Sequence, residues 1–156
     1  MNQNLLDNRY MEFRMGDQLF ALPLLIVKEV IQKPDVTSVP NMPSHFEGMI
    51  NLRGQILGVF SIRKKLGAKA KTADEVKNEV VVVIEDAGVN VGMIVDEVTR
   101  VLHATPDSLK PAPLKEGDPA KPYIVSVIQT EQDLVLTIDV NKLLDLEKTT
   151  SLNKGA

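Results

Sequence analysis

The chain has 156 residues, 44% of them apolar and 25% charged, with a net charge of −3 and no cysteine. This suits one globular domain, or two small modules sharing a seam. It excludes disulfides, thiolate nucleophiles and cysteine-ligated metal sites, and it removes the usual electrostatic drive for non-specific nucleic-acid binding. The chain holds 19 Val, 10 Ile and 8 Thr, residues that suit pleated, half-buried surfaces, so strands should outnumber helices. With four Phe, two Tyr and no Trp, the core must be mostly aliphatic. Residues 1–10 carry no apolar run of signal-peptide length. The longest apolar stretch, 19–27, contains Pro23 and is far shorter than the roughly 20 residues that span a bilayer. A cytosolic protein is expected.

Met11, Phe13 and Met15 alternate with Glu12 and Arg14, the pattern of a strand with one wet face. Gly16-Asp17 suits a two-residue type II′ turn into a return strand over 18–22. Pro23 suits a first helical turn, and 24–32 reads as a short helix ended by Pro34. The segment 39–43 must be extended, because Pro40 and Pro43 disfavour helical geometry before them. Ser44 to Glu47 has the spacing of a capping box and predicts one helical turn. A hairpin follows, 49–52 up and 55–60 down around Arg53-Gly54. Ser61 caps a short helix over 62–66, stopped by Gly67.

Residues 68–78 lack an apolar face and read as a linker. The valine-rich run 79–84 predicts a buried strand, turned by Asp86-Ala87-Gly88 into 89–95, with the β pattern continuing through Val98, Val101 and Leu102. Five prolines make 105–122 a long irregular excursion. A last hairpin covers 123–129 and 134–138, and Asp139 caps a helix over 140–146 before a polar tail.

Residues 59–66 match 137–144 at an offset of 78, half the chain, with Ser61/Asp139, Lys64/Lys142 and Leu66/Leu144 aligned. Two related β modules are therefore expected: subdomain 1 over about 9–67, a linker at 68–78 and subdomain 2 over about 79–138. Modules this small bury little core alone and should share an interface.

No catalytic constellation emerges. His45 and His103 fall in different modules, without the partners that metal or acid–base roles need. The glycines form no nucleotide fingerprint, and there is no nucleophile elbow. Asp96-Glu97 and Glu85-Asp86 are adjacent pairs whose side chains point to opposite faces of a strand. Arg63, Lys64, Lys65, Lys69 and Lys71 read as a solvated helix end and linker, with contact to an anionic partner as the sharper alternative. Arg53 is more informative, since hairpin tips favour small polar residues. It fits an ion pair to Glu29 or Asp96, a partner contact, or both.

These residues together resemble the CheW-like coupling proteins of bacterial chemosensory arrays, over about residues 10–146. The most specific element is Gly48-Met49-Ile50-Asn51-Leu52-Arg53-Gly54, similar to a Gly-x-x-Asn-Leu-Arg-Gly signature. Pro23 with Val27-Lys28-Glu29-Val30, the segment 39–43, Gly92-Met93-Ile94-Val95-Asp96-Glu97-Val98 and the closing 134–144 add four matches in the right order.

The resemblance implies a mainly β fold: two SH3-like five-stranded β-barrels packed side by side, with a few short helices. It implies a non-catalytic adaptor with no cofactor or metal. Implied partners are the regulatory domain of the histidine kinase CheA, the cytoplasmic hairpin tip of methyl-accepting chemoreceptors, and other coupling proteins in an array. The protein would be cytoplasmic and recruited to receptor arrays without inserting into the membrane. Carried over by motif, Val27, Glu29, Arg53, Gly54, Val80, Val82 and Gly92 would bind receptor. Gly48, Asn51 and Asp96 would serve turn and backbone geometry. For Val80 and Val82 a plain core role competes, and Gly92 could mark only a bulge.

Gly58 and Ser61 stand where the family usually has Pro and Asp, and Ser126 where it has Gly. These departures suggest a divergent member, and an adaptor of pilus motility or biofilm control is an alternative. From a different class, an oligonucleotide-binding β-barrel would want stacking aromatics and a basic groove, which this composition does not favour.

Overall fold

The computed structural model describes residues 8–67, 78–86 and 88–144; most of the expected linker, the C-terminal end of the last helix and the tail lie outside these. The described chain runs β1 (Arg9–Met15), β2 (Gln18–Pro23), β3 (Val27–Gln32), β4 (Phe46–Leu52), β5 (Gln55–Ser61), α1 (Ile62–Leu66), β6 (Val80–Asp86), β7 (Val89–Val95), β8 (Glu97–His103), β9 (Leu109–Lys110), β10 (Ile124–Gln129), β11 (Leu134–Ile138) and α2 (Val140–Leu144). Local chemistry explains most boundaries. Gly16 takes φ +61° between β1 and β2. Ser61 Oγ accepts the Lys64 N–H at 3.3 Å, and Gly67 ends α1 at φ +71°. Asp139 Oδ1 accepts the Lys142 N–H at 3.2 Å.

Two expected helices are absent. Residues 24–32 form a 3-10 turn, Leu24–Ile26, and then β3. The β-branched Val27, Val30 and Ile31 find pairing partners in the valine run of β6, and that tertiary offer outweighs a weak helical pattern. The capping-box segment is only a turn, closed by Phe46 N–H to Pro43 O at 3.0 Å. Phe46 instead starts β4 and meets Phe60 edge-on at 5.1 Å.

The strands form two sheets, in the orders β8-β1-β2-β11-β10-β9 and β3-β6-β7-β5-β4. In the first, β8 and β9 lie at opposite edges yet follow one another in the chain, so the sheet must curl into a barrel. In the second, Thr37, just after β3, bridges Met49 of β4 through N–H···O bonds of 2.9 and 2.8 Å and closes the ring. Gly48 makes that bridge possible: at φ +146°, a Cβ there would lie 2.1 Å from the Thr37 carbonyl oxygen.

The first sheet uses both ends of the chain and is called here the terminal barrel; the second is the central barrel. Subdomain boundaries at 9–67 and 79–138 therefore do not describe how the sheets partition. Each half of the chain gives its first hairpin to the sheet completed by the other half: β1–β2 joins β10–β11, and β6–β7 joins β4–β5. The internal correspondence itself persists. The register shift at Phe46/Gly48 in β4 recurs 78 residues later at Ile124/Ser126 in β10. Ser61 N–H donates to His45 O at 2.7 Å, and Asp139 N–H donates to Tyr123 O at 2.8 Å.

Strand alternation sorts the apolar side chains into three cores. Ile50, Leu57, Val59, Val81, Val83 and Ile94 fill the central barrel. Ala21, Leu102, Ala104, Ile128 and Val135 fill the terminal barrel. The largest cluster lies between them and includes Phe13, Phe20 and Leu136 from one side and Phe60, Val82 and Met93 from the other. Each fully buried Val, Leu or Phe contributes about 1.5–3 kcal/mol, so the shared seam binds the exchanged hairpins into one cooperative unit. Glu12, expected on the wet face of β1, is buried at 2% exposure. Thr99 Oγ1 donates to it at 2.6 Å and Arg100 Nε at 3.1 Å, which satisfies its charge.

Candidate docking site on the central barrel

All seven receptor-site candidates fall on the central barrel: Val27 and Glu29 on β3, Arg53 and Gly54 in the β4–β5 turn, Val80 and Val82 on β6, Gly92 on β7. The turn is the most unusual feature. Arg53 has φ +50° and Gly54 φ +87°, so both central residues are left-handed, as a type I′ hairpin turn requires. Asn51 Oδ1 accepts the Gly54 N–H at 2.9 Å and fixes the turn. Left-handed backbone costs a non-glycine residue about 1 kcal/mol, a cost that Asn at this position would reduce.

Arg53 Nη2 donates to Glu29 Oε2 at 2.5 Å across the barrel mouth. Its side chain is nevertheless 69% exposed, against 25% for Glu29. The hydrogen bond and charge of Glu29 push the Arg53 pKa above its ordinary value. A positioned guanidinium with most of its donors facing outward suits bidentate recognition of a carboxylate. Of the two ion partners open to Arg53 in the sequence, the structure chooses Glu29. Asp96 instead pairs with Arg63, both side chains nearly buried. Arg63 is therefore no part of a solvated basic stretch, whereas Lys64 pairs with Glu47 at 2.7 Å and Lys65 sits 5.4 Å above the Tyr123 ring.

The remaining candidates separate by burial. Val27 and Val80 are half-buried at the margin of the seam. Val82 is fully buried in the seam core, so it supports the surface from below and cannot touch a partner. Gly92 is not at a bulge: β7 pairs regularly with β5 and β6 around it. A Cβ there would lie 2.7 Å from Val81 Cγ1 and 2.9 Å from Val59 Cγ1, so Gly92 faces the barrel interior and permits close packing. Sequence reasoning missed two exposed apolar neighbours, Leu25 at 47% and Ile56 at 58%. Leu25 was hidden by the helix expectation; Ile56 alternates with buried Leu57, and only the hairpin register sets it opposite Asn51 beside the Arg53 turn.

His45 stacks on Phe60 at 5.7 Å, and burial followed by the Lys65 charge lowers its pKa. Among the described residues no group of three His, Asp or Glu could hold a metal ion, and no helix is long and apolar enough to cross a membrane. All four Phe are buried and both Tyr half-buried, so no Phe ring is open to stack on a base.

Two interlocked barrels around a shared core, with a cationic turn at one mouth, define a double-barrel β module. The comparisons specify which kind. A CheW-like domain model matches residues 9–148, and the chain belongs to that family. The chemotaxis protein CheW of Klebsiella aerogenes is 30% identical over 139 residues, covering 89% of this chain and 82% of that protein. Protein PilI of Pseudomonas aeruginosa is 32% identical over 122 residues, covering 77% and 66%. The crystal structure of the scaffolding protein TtCheW from Thermoanaerobacter tengcongensis superposes with a TM-score of 0.75 at 27% identity, covering 85% of this chain and 89% of that one.

Proposed function

We propose that the chain is a non-catalytic adaptor that links the hairpin tips of methyl-accepting chemoreceptors to a CheA-type histidine kinase. Family membership supports the role, and one observation at the site carries it. An arginine is held in left-handed backbone at an exposed turn and oriented by Glu29, although Asn-Gly or Asp-Gly would make the same turn at lower cost. Something other than the turn selects the guanidinium, and a partner's carboxylate or carbonyl satisfies that demand. Val27, Val80 and Leu25 supply the aliphatic margin that the apolar stripe of a receptor helix needs. Val82, Gly92 and Asn51 hold that surface in shape, and Gly54 lets the turn be tight. The kinase's regulatory domain docks barrel against barrel, and the protein works in the cytoplasm at receptor arrays. The PilI relative supports a second reading, an adaptor of a non-flagellar pathway with the same docking logic.

The test uses the purified chain, a receptor hairpin fragment and the CheA kinase from the same cell. Arg53→Glu keeps the melting profile, weakens receptor association about tenfold or more and reduces kinase activation. Normal ternary complexes and normal activation with this variant overturn the site. Val27→Asp is expected to weaken receptor association more than a charge placed in the polar C-terminal tail. Failure of the unsubstituted chain to associate with any signalling kinase overturns the function.

A further inference from the structure

The two barrels meet along β1, whose ends lie at the two places where the chain passes between sheets. At one end Tyr10 pairs with Pro23, beside the passage from β2 to β3. At the other, the Asp96 N–H donates to Arg14 O at 3.2 Å, in the one-residue link between β7 and β8. These two crossings are built differently. Asp96 Oδ2 accepts the Gly16 N–H of the β1–β2 turn at 2.8 Å and also binds Arg63 Nη2 of α1. A link, a hairpin turn and a helix are thus tied to one carboxylate, with Arg63 and Asp96 side chains only 6% and 7% exposed. Water does not compete there, so the pair holds one geometry.

Among the described residues, the pseudo-equivalent helix shows no buried ion pair to the opposite crossing. Asn141, 78 residues after Arg63, occupies the same second position of α2, and its Nδ2 donates to Asp86 Oδ2 at 3.1 Å in an exposed hydrogen bond. The 3-10 turn Leu24–Ile26 contains no buried residue, and Leu25 is 47% exposed. Among the described residues, one end of the seam is bolted by a buried ion pair, whereas the other shows apolar contact and a solvent-exposed amide.

We propose that the Arg63–Asp96 pair is the pivot that fixes the angle between the barrels, and that the seam opens at the Leu24–Val27 crossing. Arg63 and Asp96 are then positioning residues for the groove edge that carries Val27. The docking consequence rests on the adaptor reading; the pivot does not.

The chain contains no cysteine, so V125C and I56C introduce two nitroxide labels at exposed sites, one on each barrel. Pulsed dipolar spectroscopy on the full chain then reads the inter-barrel distance distribution. Asp96→Asn is expected to broaden it at least twofold, Arg63→Lys to broaden it less, and Asn141→Ala to leave it unchanged. An unchanged width in folded Asp96→Asn overturns the pivot, as does equal broadening by Asn141→Ala. Should Asp96→Asn not fold, Arg63→Lys decides: broadening supports the pivot, and the wild-type width overturns it. Receptor-hairpin affinity measured on the same unlabelled variants should fall about fivefold with the broadening. Broadening at constant affinity upholds the pivot and refutes docking at that groove edge.

Discussion

The mouths of the two barrels use the same fold positions with opposite charges and for different ends. In the central barrel the edge strand β3 carries an acid, Glu29, and the hairpin turn carries the base, Arg53, 69% exposed. In the terminal barrel the edge strand β8 carries the base, Arg100, which reaches Asp133 beside the β10–β11 turn at 3.7 Å. Arg100 also covers buried Glu12 at 3.1 Å. Its charge is committed to a carboxylate that cannot reach water, whereas Arg53 meets a partly exposed one and keeps its outer donors. Pseudo-symmetry thus separates a cation that holds the fold from a cation that the fold holds out.

Exchanging residues between equivalent positions sharpens this contrast. The largest effect is expected from Gly48→Ser, which copies Ser126 into the central barrel. The new Cβ would meet the Thr37 carbonyl where the barrel closes, costing about 3 kcal/mol in urea denaturation. Next comes Arg100→Glu, which strips buried Glu12 of its cation and adds a like charge, lowering stability by about 2 kcal/mol. Arg53→Glu, the matching reversal, should leave the urea midpoint nearly unchanged and act on partner binding instead. Equal destabilisation by the two reversals would erase the distinction between the mouths.

Ser126→Gly should cost about 1 kcal/mol, because it removes the Ser126–Thr137 hydroxyl contact of 2.6 Å, while Thr137 retains the Ser126 carbonyl at 3.2 Å. The smallest effect is a pH slope from His45, whose terminal-barrel counterpart is Tyr123. Its folded pKa lies below the ordinary histidine value of about 6.5 because burial and then Lys65 disfavour the imidazolium. The unfolded chain therefore binds the proton more readily. Stability from neutral His45 is complete above about pH 7 and falls as pH drops through 6.5 toward the folded value. His45→Tyr should flatten that part of the wild-type profile, measured as urea midpoints between pH 5 and 7.5; parallel profiles would show that His45 contributes no slope.

Much of the candidate site could be read from residue order because turns and caps act over three or four residues. Asn51-Leu52-Arg53-Gly54 specifies its own hairpin, and Ser61 and Asp139 each cap the helix that follows. The burial of the site residues could not be read so. Val80 and Val82 are identical side chains two residues apart on the same face of β6, yet only Val82 lies beneath the opposing barrel. Arg63 sits in a run of three basic residues, and nothing local sets it apart from Lys64. Its partner lies 33 residues further on and is brought near by the β7–β8 crossing.

The sequence by itself determined the hairpins, the capped helices, the aliphatic cores and the duplication at an offset of 78. Each follows from side-chain shape, backbone preference or short-range periodicity. Only the tertiary structure decided that residues 27–32 are a strand, that each half lends its first hairpin to the other's barrel, and that Arg63 and Glu12 are buried. Those outcomes depend on which distant strand offers unpaired backbone and which face finds an apolar partner across the seam. Strand pairing is set by packing between distant segments, from 33 residues apart at Gly58 and Val91 to 116 apart at Leu19 and Val135, and a local pattern of alternating residues fits either sheet equally well.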